Sequence, residues 1–212
     1  MATVRKWFVT GIGTGIGKTV VSAVLAEHLK ADYWKPIQSG DLEQSDSMTI
    51  SNAVSFPIRV YPERYRLKTA VSPHQSAEME NILMRVNDFS LPHGDNHLIV
   101  EGAGGVFVPI NTEEFMIDLI EKLALPLVVV VHDYLGCINH TMLTLQAIYQ
   151  RKLRVALVVF NGDFNPWTYT LLSAHVPSHT PTLHISTMNQ IDKKHVKACA
   201  EDLQLFDRLT NV

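Results

Sequence analysis

The sequence predicts an α/β fold in which helices lie on both faces of a mostly parallel sheet. Three observations lead to this class. Short apolar runs that do not alternate with polar residues are typical of strands covered on both faces. Segments with a helical period separate these runs, so strand and helix alternate along the chain. A glycine-rich turn joins the first run to the first helical segment.

Six short runs rich in β-branched and aromatic residues are the predicted strands. In chain order they are KWFVT (6–10), DYWKP (32–36), HLIVE (97–101), PLVVVV (126–131), RVALVVF (154–160) and TLHIS (182–186). Because helical segments separate several of these runs, the strands are expected to pair mostly in parallel.

Three segments have apolar residues at helical spacing, namely 17–30, 113–124 and 138–151. The second is expected to follow a cap at Asn111 or Thr112, with acidic residues in its first turn. The stretch from Phe56 to Pro73 contains three prolines and little periodicity, which predicts a long loop. Long loops in compact domains are often functional.

The composition is that of one globular domain spanning residues 1–212. A net charge of −3 and the lack of a basic block argue against a nucleic-acid partner. The two cysteines have no paired spacing, which argues against a disulfide framework or a zinc site. No leader pattern is visible, and the longest apolar run, LALPLVVVV, is too short for a bilayer. These features favour a cytoplasmic protein with no membrane partner.

The stretch GIGTGIGKT, from Gly11 to Thr19, is the strongest functional signal. The common phosphate-binding loop reads G-x-x-x-x-G-K-[ST], and here its opening position holds Ile12. The stretch lies between a strand and a helix, where backbone N–H groups point towards a bound anion. In this motif Lys18 contacts the terminal phosphates, and Thr19 supplies a hydroxyl to magnesium. A glycine-rich turn without a ligand is the weaker alternative, because G-K-T is present in the right setting.

A dinucleotide-binding turn is another interpretation, because three glycines crowd the start of the loop. Its G-x-G-x-x-G spacing would require a glycine at Ile16. The next strand also ends in Lys35, where an acid that binds the ribose would be expected. Both departures disfavour a dinucleotide site.

Charged residues follow two further predicted strands. Glu101 ends HLIVE and precedes G-A-G-G, which lets the backbone approach a ligand closely and makes Glu101 a candidate magnesium acid. Lys35 follows the aromatic pair Tyr33 and Trp34 and would add positive charge opposite Lys18. A solvated strand-end acid and a snorkelling lysine are the respective alternatives.

Two later segments offer weaker signals. GCINHTMLT, beginning at Gly136, starts a helix whose free N–H groups could hold a carboxylate. Cys137 and His140 suggest a nucleophile and its base, but residues three apart at a helix start commonly cap and pack. Asn161 ends the fifth strand and is a candidate contact to a nucleotide base, although asparagine there is more often a turn former.

Together these motifs resemble the dethiobiotin synthetase family over nearly the whole chain and in the family's order. The family's loop has the form G-T-x-T-[EG]-x-G-K-T, and GIGTGIGKT is similar to it, which explains the unusual spacing. Further segments similar to those of the family are KPIQSG (35–40), SDSMTI (45–50), SPH (72–74), VEGAGG (100–105) and LGCINHTMLT (135–144).

The resemblance implies a homodimeric, magnesium-dependent ligase of biotin synthesis, with a phosphate-loop nucleotidase fold and ATP as co-substrate. The implied reaction joins carbon dioxide to 7,8-diaminopelargonic acid. A substrate amine forms a carbamate, which attacks ATP to give a carbamic–phosphoric anhydride. The second amine then closes a cyclic urea, dethiobiotin, and expels phosphate.

The resemblance also implies roles for the matched residues. Lys35 and Lys18 would be catalytic, and magnesium would be held by Thr19, Asp46 and Glu101. The implied ATP-binding residues are Thr14, Gly15, Ile16, Gly17, Lys18, Thr19, Val20, Asp46, Glu101, Gly102, Ala103, Gly104 and Asn161. The implied substrate-binding residues are Ser39, Lys35, Cys137, Ile138 and Asn139, the last three reaching across the dimer.

The chain departs from the family's pattern at three places. Gly15 stands where some members carry glutamate, and Ile12 and Gly13 replace two polar side chains of the loop. The segment after the last strand reads HISTMN (184–189) and lacks the proline that is usual there. The resemblance therefore assigns no base contacts to that segment.

Three rival functions are open to the same sequence. A ParA- or MinD-like switch ATPase would carry a further lysine at Gly13, and no basic amphipathic tail is visible. The ATP-dependent amidating enzymes of cobalamin synthesis need an additional glutaminase domain, for which 212 residues leave no room. A regulatory nucleotide-binding module would bind nucleotide without turnover stimulated by a substrate.

Overall fold

The computed structural model describes residues 4–203. In this part of the chain the strands are β1 (Lys6–Gly11), β2 (Asp32–Trp34), β3 (Ile37–Ser39), β4 (Val60–Tyr61), β5 (Tyr65–Leu67), β6 (Leu98–Glu101), β7 (Leu127–Val131), β8 (Val155–Asn161) and β9 (Thr182–Ile185). The helices are α1 (Lys18–Leu29), α2 (Asp46–Ala53), α3 (Pro73–Met79), α4 (Met116–Leu123), α5 (Cys137–Gln150), α6 (Pro166–His175) and α7 (Lys193–Asp202), with a 3₁₀ turn at Val86–Asp88.

The main sheet has seven strands in the order β4-β2-β6-β1-β7-β8-β9, and its neighbouring strands pair in parallel. β1 and β7 are buried along nearly their whole length. Successive side chains of a strand point to opposite faces, so both faces of the sheet centre are covered. The predicted class is confirmed, and the six predicted strands are β1, β2, β6, β7, β8 and β9.

The helices form two groups around this sheet. α1 packs against α2 and α7, and α1 also contacts β1 and β6, while α5 packs against α6. The predicted segments 17–30 and 138–151 correspond closely to α1 and α5. No helix within residues 4–203 is both long enough and apolar enough to cross a bilayer.

The predicted cap of the middle helix is wrong. α4 begins at Met116, and its cap is Phe115, whose backbone N–H donates to the Asp118 carboxylate. The Asn111 side chain instead accepts hydrogen bonds from the backbone N–H groups of Glu113 and Glu114. Asn111 therefore stabilises a turn before the helix. Pro109 and Phe115 form a short antiparallel bridge around this turn, so the helix starts only after Phe115.

The prediction of a long loop over residues 56–73 is also wrong in part. β4 pairs with β2 and forms one edge of the main sheet, and β5 pairs with β3 in a separate two-stranded sheet. Strands of two and three residues are too short to show a period, so sequence patterning does not reveal them.

Candidate functional site

The glycine loop connects β1 to α1 and contains two glycines in the left-handed region. Gly15 has a φ of 73°, and Gly17, the residue before the helix, has a φ of 87°. Only glycine takes this conformation without strain. The backbone N–H groups at the start of α1 therefore face the open end of the sheet, as a phosphate-binding loop requires.

Asn161, at the end of β8, is hydrogen-bonded to the backbone of the loop. Its side-chain N–H₂ donates to the carbonyl of Ile16 at 3.0 Å. A Cβ atom placed on Gly17 would overlap the Asn161 amide nitrogen. Close packing as well as backbone conformation therefore requires glycine at position 17.

Lys18 lies almost buried behind the loop. Its ammonium donates to the carbonyl of Gly13 at 2.7 Å. Burial, followed by the positive charge of Lys35, lowers the pKa of Lys18 to about 8. An anion bound at the loop would favour the charged form of Lys18 and raise this pKa again.

Three oxygen-bearing side chains meet beside the loop. The hydroxyl of Thr19, in the first turn of α1, lies 2.8 Å from Asp46 Oδ1 and 3.0 Å from Glu101 Oε1. Asp46 is the first residue of α2, and Glu101 is the last residue of β6. A hydroxyl and two carboxylates are hard oxygen ligands of the kind that magnesium prefers, so this donor set fits that ion.

Lys35 joins the two acids. Its ammonium lies 2.6 Å from Asp46 Oδ2 and 2.9 Å from Glu101 Oε1, and it donates to the carbonyl of Gly102 at 3.2 Å. Burial alone would lower the pKa of Lys35, but Glu101 and Asp46 together outweigh it and raise that pKa. Lys35 therefore stays charged although it is buried. We call Thr19, Lys35, Asp46 and Glu101 the Lys35 cluster.

Strand order explains why the Lys35 cluster forms. β2, β6 and β1 are neighbours, and the carboxyl ends of parallel strands lie at one edge of a sheet. Lys35 directly follows β2, Glu101 ends β6, and Thr19 follows β1 by way of the loop. Asp46 arrives from α2, whose cap is Ser45 and whose first backbone N–H donates to Gln38.

A cavity of about 750 Å³ opens in front of the loop and the Lys35 cluster, and we call it the glycine-loop cavity. The predicted residues that line it are Thr14, Gly15, Gly17, Lys18, Thr19, Val20, Lys35, Ser39, Asp46, Glu101, Ala103 and Gly104. Ile16, Gly102 and Asn161 lie behind this wall and contact lining residues or the loop backbone.

Sequence reasoning missed several walls of the cavity. Gln38, Asp41, Gln44, Val71 and Val108 also line it. Gln38 lies in β3 within the matched segment KPIQSG, whereas the others come from segments next to the two-stranded sheet and after Gly105 that no local pattern marks. The matched segment SPH was the available signal for one further wall, since its Ser72 and Pro73 line the cavity.

Ser39 connects the cavity to the two-stranded sheet. Its hydroxyl lies 3.1 Å from the carbonyl of Thr69 and 2.8 Å from that of Val71. A hydroxyl has one proton, so it donates to one of these carbonyls at a time and keeps lone pairs for a ligand amine.

The start of α5 lies outside the glycine-loop cavity. Cys137 Sγ contacts Asp133 at 3.4 Å, whereas His140 contacts the hydroxyl of Tyr134 at 2.7 Å. Cys137 and His140 therefore have separate partners, and burial, with a contribution from Asp133, raises the pKa of the Cys137 thiol. The nucleophile–base interpretation is not supported. The predicted substrate contacts Cys137, Ile138 and Asn139 are not among the residues that line this cavity.

Comparison with known proteins places this architecture among curated relatives. A family model described as "AAA domain" matches residues 5–195. A Christiangramia forsetii protein is 46% identical over 165 residues, which span 77% of this chain and 79% of that protein. A Cytophaga hutchinsonii protein is 43% identical over 205 residues, which span 96% of this chain and 98% of that protein. Both relatives are named ATP-dependent dethiobiotin synthetase BioD.

Solved structures share the fold at low sequence identity. A ParA family ATPase from Chlorobium tepidum matches all of this chain and 98% of its own, with a TM-score of 0.51 and 13% identity. The signal recognition particle receptor FtsY from Elizabethkingia anophelis, in complex with GDP, matches all of this chain and 65% of its own, with a TM-score of 0.50 and 10% identity. These likenesses establish the phosphate-loop fold and nothing further.

Proposed function

Because the chain belongs to the dethiobiotin synthetase family, we propose that its glycine-loop cavity binds ATP and closes the urea ring of dethiobiotin. The chain is an ATP-dependent ligase of biotin biosynthesis. The observation that carries the assignment of the site is the Lys35 cluster, a buried cation and two carboxylates directly beside the loop.

In this proposal one amine of 7,8-diaminopelargonate adds to carbon dioxide and forms a carbamate. A carbamate oxygen attacks the γ-phosphate of ATP, and the bond to ADP breaks. The second amine attacks the carbonyl of the resulting anhydride, closes the ring and releases phosphate. The substrate supplies every nucleophile, so the protein has to position anions and neutralise their charge.

The loop and its neighbours would bind ATP. Backbone N–H groups of residues 14–20 surround the phosphates, and the Lys18 ammonium exchanges the Gly13 carbonyl for phosphate oxygens. Ala103 and Gly104 line the opposite wall, and Gly102 lies behind them with its carbonyl bound to Lys35. Asn161 supports the loop through the Ile16 carbonyl and lies at the carboxyl end of β8, and we propose it as a contact to the base.

Thr19, Asp46 and Glu101 would hold magnesium, whose charge, when it is bound, offsets that of the phosphates. The fit rests on the three oxygen donors gathered at the Thr19 hydroxyl. Lys35 would turn its ammonium from the acids towards the carbamate and the transferring phosphoryl group. In the free chain Glu101 and Asp46 raise the pKa of Lys35, so the ammonium is charged before it turns.

Ser39 would accept a hydrogen bond from the diamine, and the start of α5 in a second subunit would bind the carboxylate of the substrate. The free N–H groups at that helix start follow Gly136, whose φ of 105° turns the chain into the helix. The same proposal places one catalytic domain over residues 1–212 in the cytoplasm, where ATP is available.

A homodimer is supported by an exposed apolar surface beside the same helix start. Leu135, Ile138, Met142 and Leu143 are all exposed there. Large exposed apolar patches on a folded protein often mark interfaces. We call these four residues the α5 patch.

Changing Leu143 to Asp is expected to convert the dimer into monomers and to lower kcat at least about tenfold, because a carboxylate would be buried without a partner. Sedimentation velocity at matched concentrations measures the assembly. Val4→Asp is the control, since Val4 is also exposed but precedes the amino end of β1, whereas the α5 patch follows the carboxyl end of β7. An L143D variant that stays dimeric would exclude the α5 patch as the interface.

The affinity for ATP is expected to decrease as the pH rises through 8, because free Lys18 has a pKa of about 8. Bound phosphates favour the charged form of Lys18, so its pKa is higher in the complex than in the free chain. Above pH 8 binding therefore takes up a proton, and affinity falls by up to about tenfold per pH unit. Calorimetry of ATP binding between pH 7 and 9 measures this slope.

Lys18→Arg is the matched control, because a guanidinium stays protonated over this range. The K18R variant is expected to bind ATP with an affinity that changes little between pH 7 and 9. Equal slopes for the native chain and K18R would show that Lys18 is not the titrating group.

The proposed function is tested by nucleotide hydrolysis with magnesium, in the presence and absence of 7,8-diaminopelargonate plus bicarbonate. We expect hydrolysis that requires both co-substrates, together with a cyclic urea of the mass of dethiobiotin. Slow hydrolysis that ignores the diamine would contradict the proposal and favour the switch-type ATPase.

A further inference from the structure

Tyr33 is a fully buried residue of β2 to which the proposed reaction gives no role. Its hydroxyl donates a hydrogen bond of 3.0 Å to Oε2 of Glu101. A tyrosine hydroxyl in a core needs a polar partner, and the partner here is one of the acids of the Lys35 cluster.

The sheet register brings this pair together. Tyr33 lies opposite Ile99 in the parallel pairing of β2 with β6. Ile99 and Glu101 are two residues apart and point to the same face of the sheet. The tyrosine ring extends along that face and reaches the carboxylate at the end of β6.

The two oxygens of Glu101 have different partners. Oε1 lies 2.9 Å from the Lys35 ammonium and 3.0 Å from the Thr19 hydroxyl. Oε2 faces the Tyr33 hydroxyl. Each oxygen of the carboxylate therefore has its own donors. The bond from Tyr33 to Oε2 leaves Oε1 beside Thr19 at the cavity.

Without the tyrosine hydroxyl, Oε2 would lose this donor. Water could not easily replace it, because the Glu101 side chain is only 1% exposed. An unsatisfied buried carboxylate oxygen is unfavourable, so the carboxylate would rotate to share the Lys35 donors. That rotation would move Oε1 away from Thr19. Burial and the negative charge of Glu101 raise the pKa of Tyr33 well above its ordinary value, so the hydroxyl remains a donor.

We propose that Tyr33 is a positioning residue that orients Glu101 for magnesium by holding Oε2 and leaving Oε1 beside Thr19. The inference rests on the proposed magnesium site. Tyr33 does not touch the ion, the nucleotide or the substrate, and it acts through the angle of one carboxylate.

Tyr33→Phe removes a single oxygen and keeps the ring that fills the core. The affinity of the ADP-loaded protein for Mn²⁺, measured from the loss of the free-ion EPR signal, is expected to fall about tenfold, the effect of losing a hydrogen bond to a charged group. The affinity for metal-free ADP is expected to change by less than about twofold, because the Tyr33 hydroxyl donates to Glu101 and Tyr33 does not line the glycine-loop cavity.

Tyr65→Phe is a matched control, because the Tyr65 hydroxyl also donates to a carboxylate, that of Asp88, at 2.8 Å. Asp88 lies in the 3₁₀ turn and does not line the glycine-loop cavity. Y65F is expected to lower the melting temperature and to leave the Mn²⁺ affinity unchanged.

A double-mutant cycle combines Tyr33→Phe with Glu101→Gln. If Tyr33 acts through Glu101, adding Y33F to E101Q should weaken Mn²⁺ binding by less than about twofold further. A native chain whose ADP complex binds Mn²⁺ no better than ADP alone would overturn the metal site and this inference together. Native-like Mn²⁺ affinity in Y33F, or an undiminished effect in E101Q, would overturn the role of Tyr33 alone.

Discussion

Replacing Lys35 with Met is expected to lower kcat about 10³-fold while the affinity for ATP stays within about threefold of the native value. The Lys35 ammonium is the cation nearest the end of β2, held between Asp46 and Glu101. Methionine fills similar space but offers no charge to the carbamate or to the transferring phosphoryl group. The loop and Lys18, which hold the ground-state phosphates, are unchanged.

The K35M variant leaves the buried Glu101 and the partly exposed Asp46 without their counter-ion. Breaking a buried pair such as Lys35–Glu101 costs about 3–5 kcal/mol. Its melting temperature and its ATP affinity must therefore be measured alongside kcat, so that a loss of folding is recognised. Lys30→Met is the control, because the exposed Lys30 also pairs with a buried acid, Glu27 at the end of α1, and neither residue lines the glycine-loop cavity. Its kcat should change by less than about twofold. A K35M enzyme that folds and keeps a tenth or more of its kcat would remove Lys35 from the chemistry.

Gly17→Ala is expected to lower the affinity for ATP more than about 100-fold. A non-glycine residue in the left-handed region costs about 1–2 kcal/mol. The added Cβ also overlaps the Asn161 amide, so the bond from Asn161 to the Ile16 carbonyl must break. Loss of that bond frees the loop whose N–H groups surround the phosphates.

Gly15→Ala separates backbone strain from packing. Gly15 has a similar φ of 73°, but a Cβ placed there meets no atom within 4 Å. Strain alone predicts a loss of ATP affinity below about tenfold for G15A. Calorimetric titration of both variants makes the comparison. Equal losses in G15A and G17A would show that the contact with Asn161 does not matter.

The sequence was sufficient for the fold class and the phosphate loop because their signals are local. β7 is a continuous apolar run since both of its faces are covered, and a run of that kind is visible without neighbours. The G-K-T of the loop lies within one turn of backbone, so its spacing alone identifies it. Lys35 and Glu101 could be singled out because parallel strands bring their carboxyl ends together.

Other elements depended on contacts that no local pattern records. β4 and β5 are strands only because β2 and β3 lie beside them. The α4 cap moved to Phe115 because the chain first closes a bridge to Pro109. Asp46 was assigned from the family resemblance, since its own neighbourhood reads as an ordinary helix start.

The amino-acid sequence by itself determined the six longer strands of the parallel sheet, three of the helices, the anion-binding turn and, through its motifs, the family. The tertiary structure alone decided which distant side chains form hydrogen bonds with one another. Thr19 meets Asp46 and Glu101 across 27 and 82 positions of the chain. Tyr33 meets Glu101 across 68. Backbone conformation and burial leave a periodic trace in neighbouring residues, whereas a hydrogen bond between strands depends on register and packing, which form only when the whole sheet is assembled.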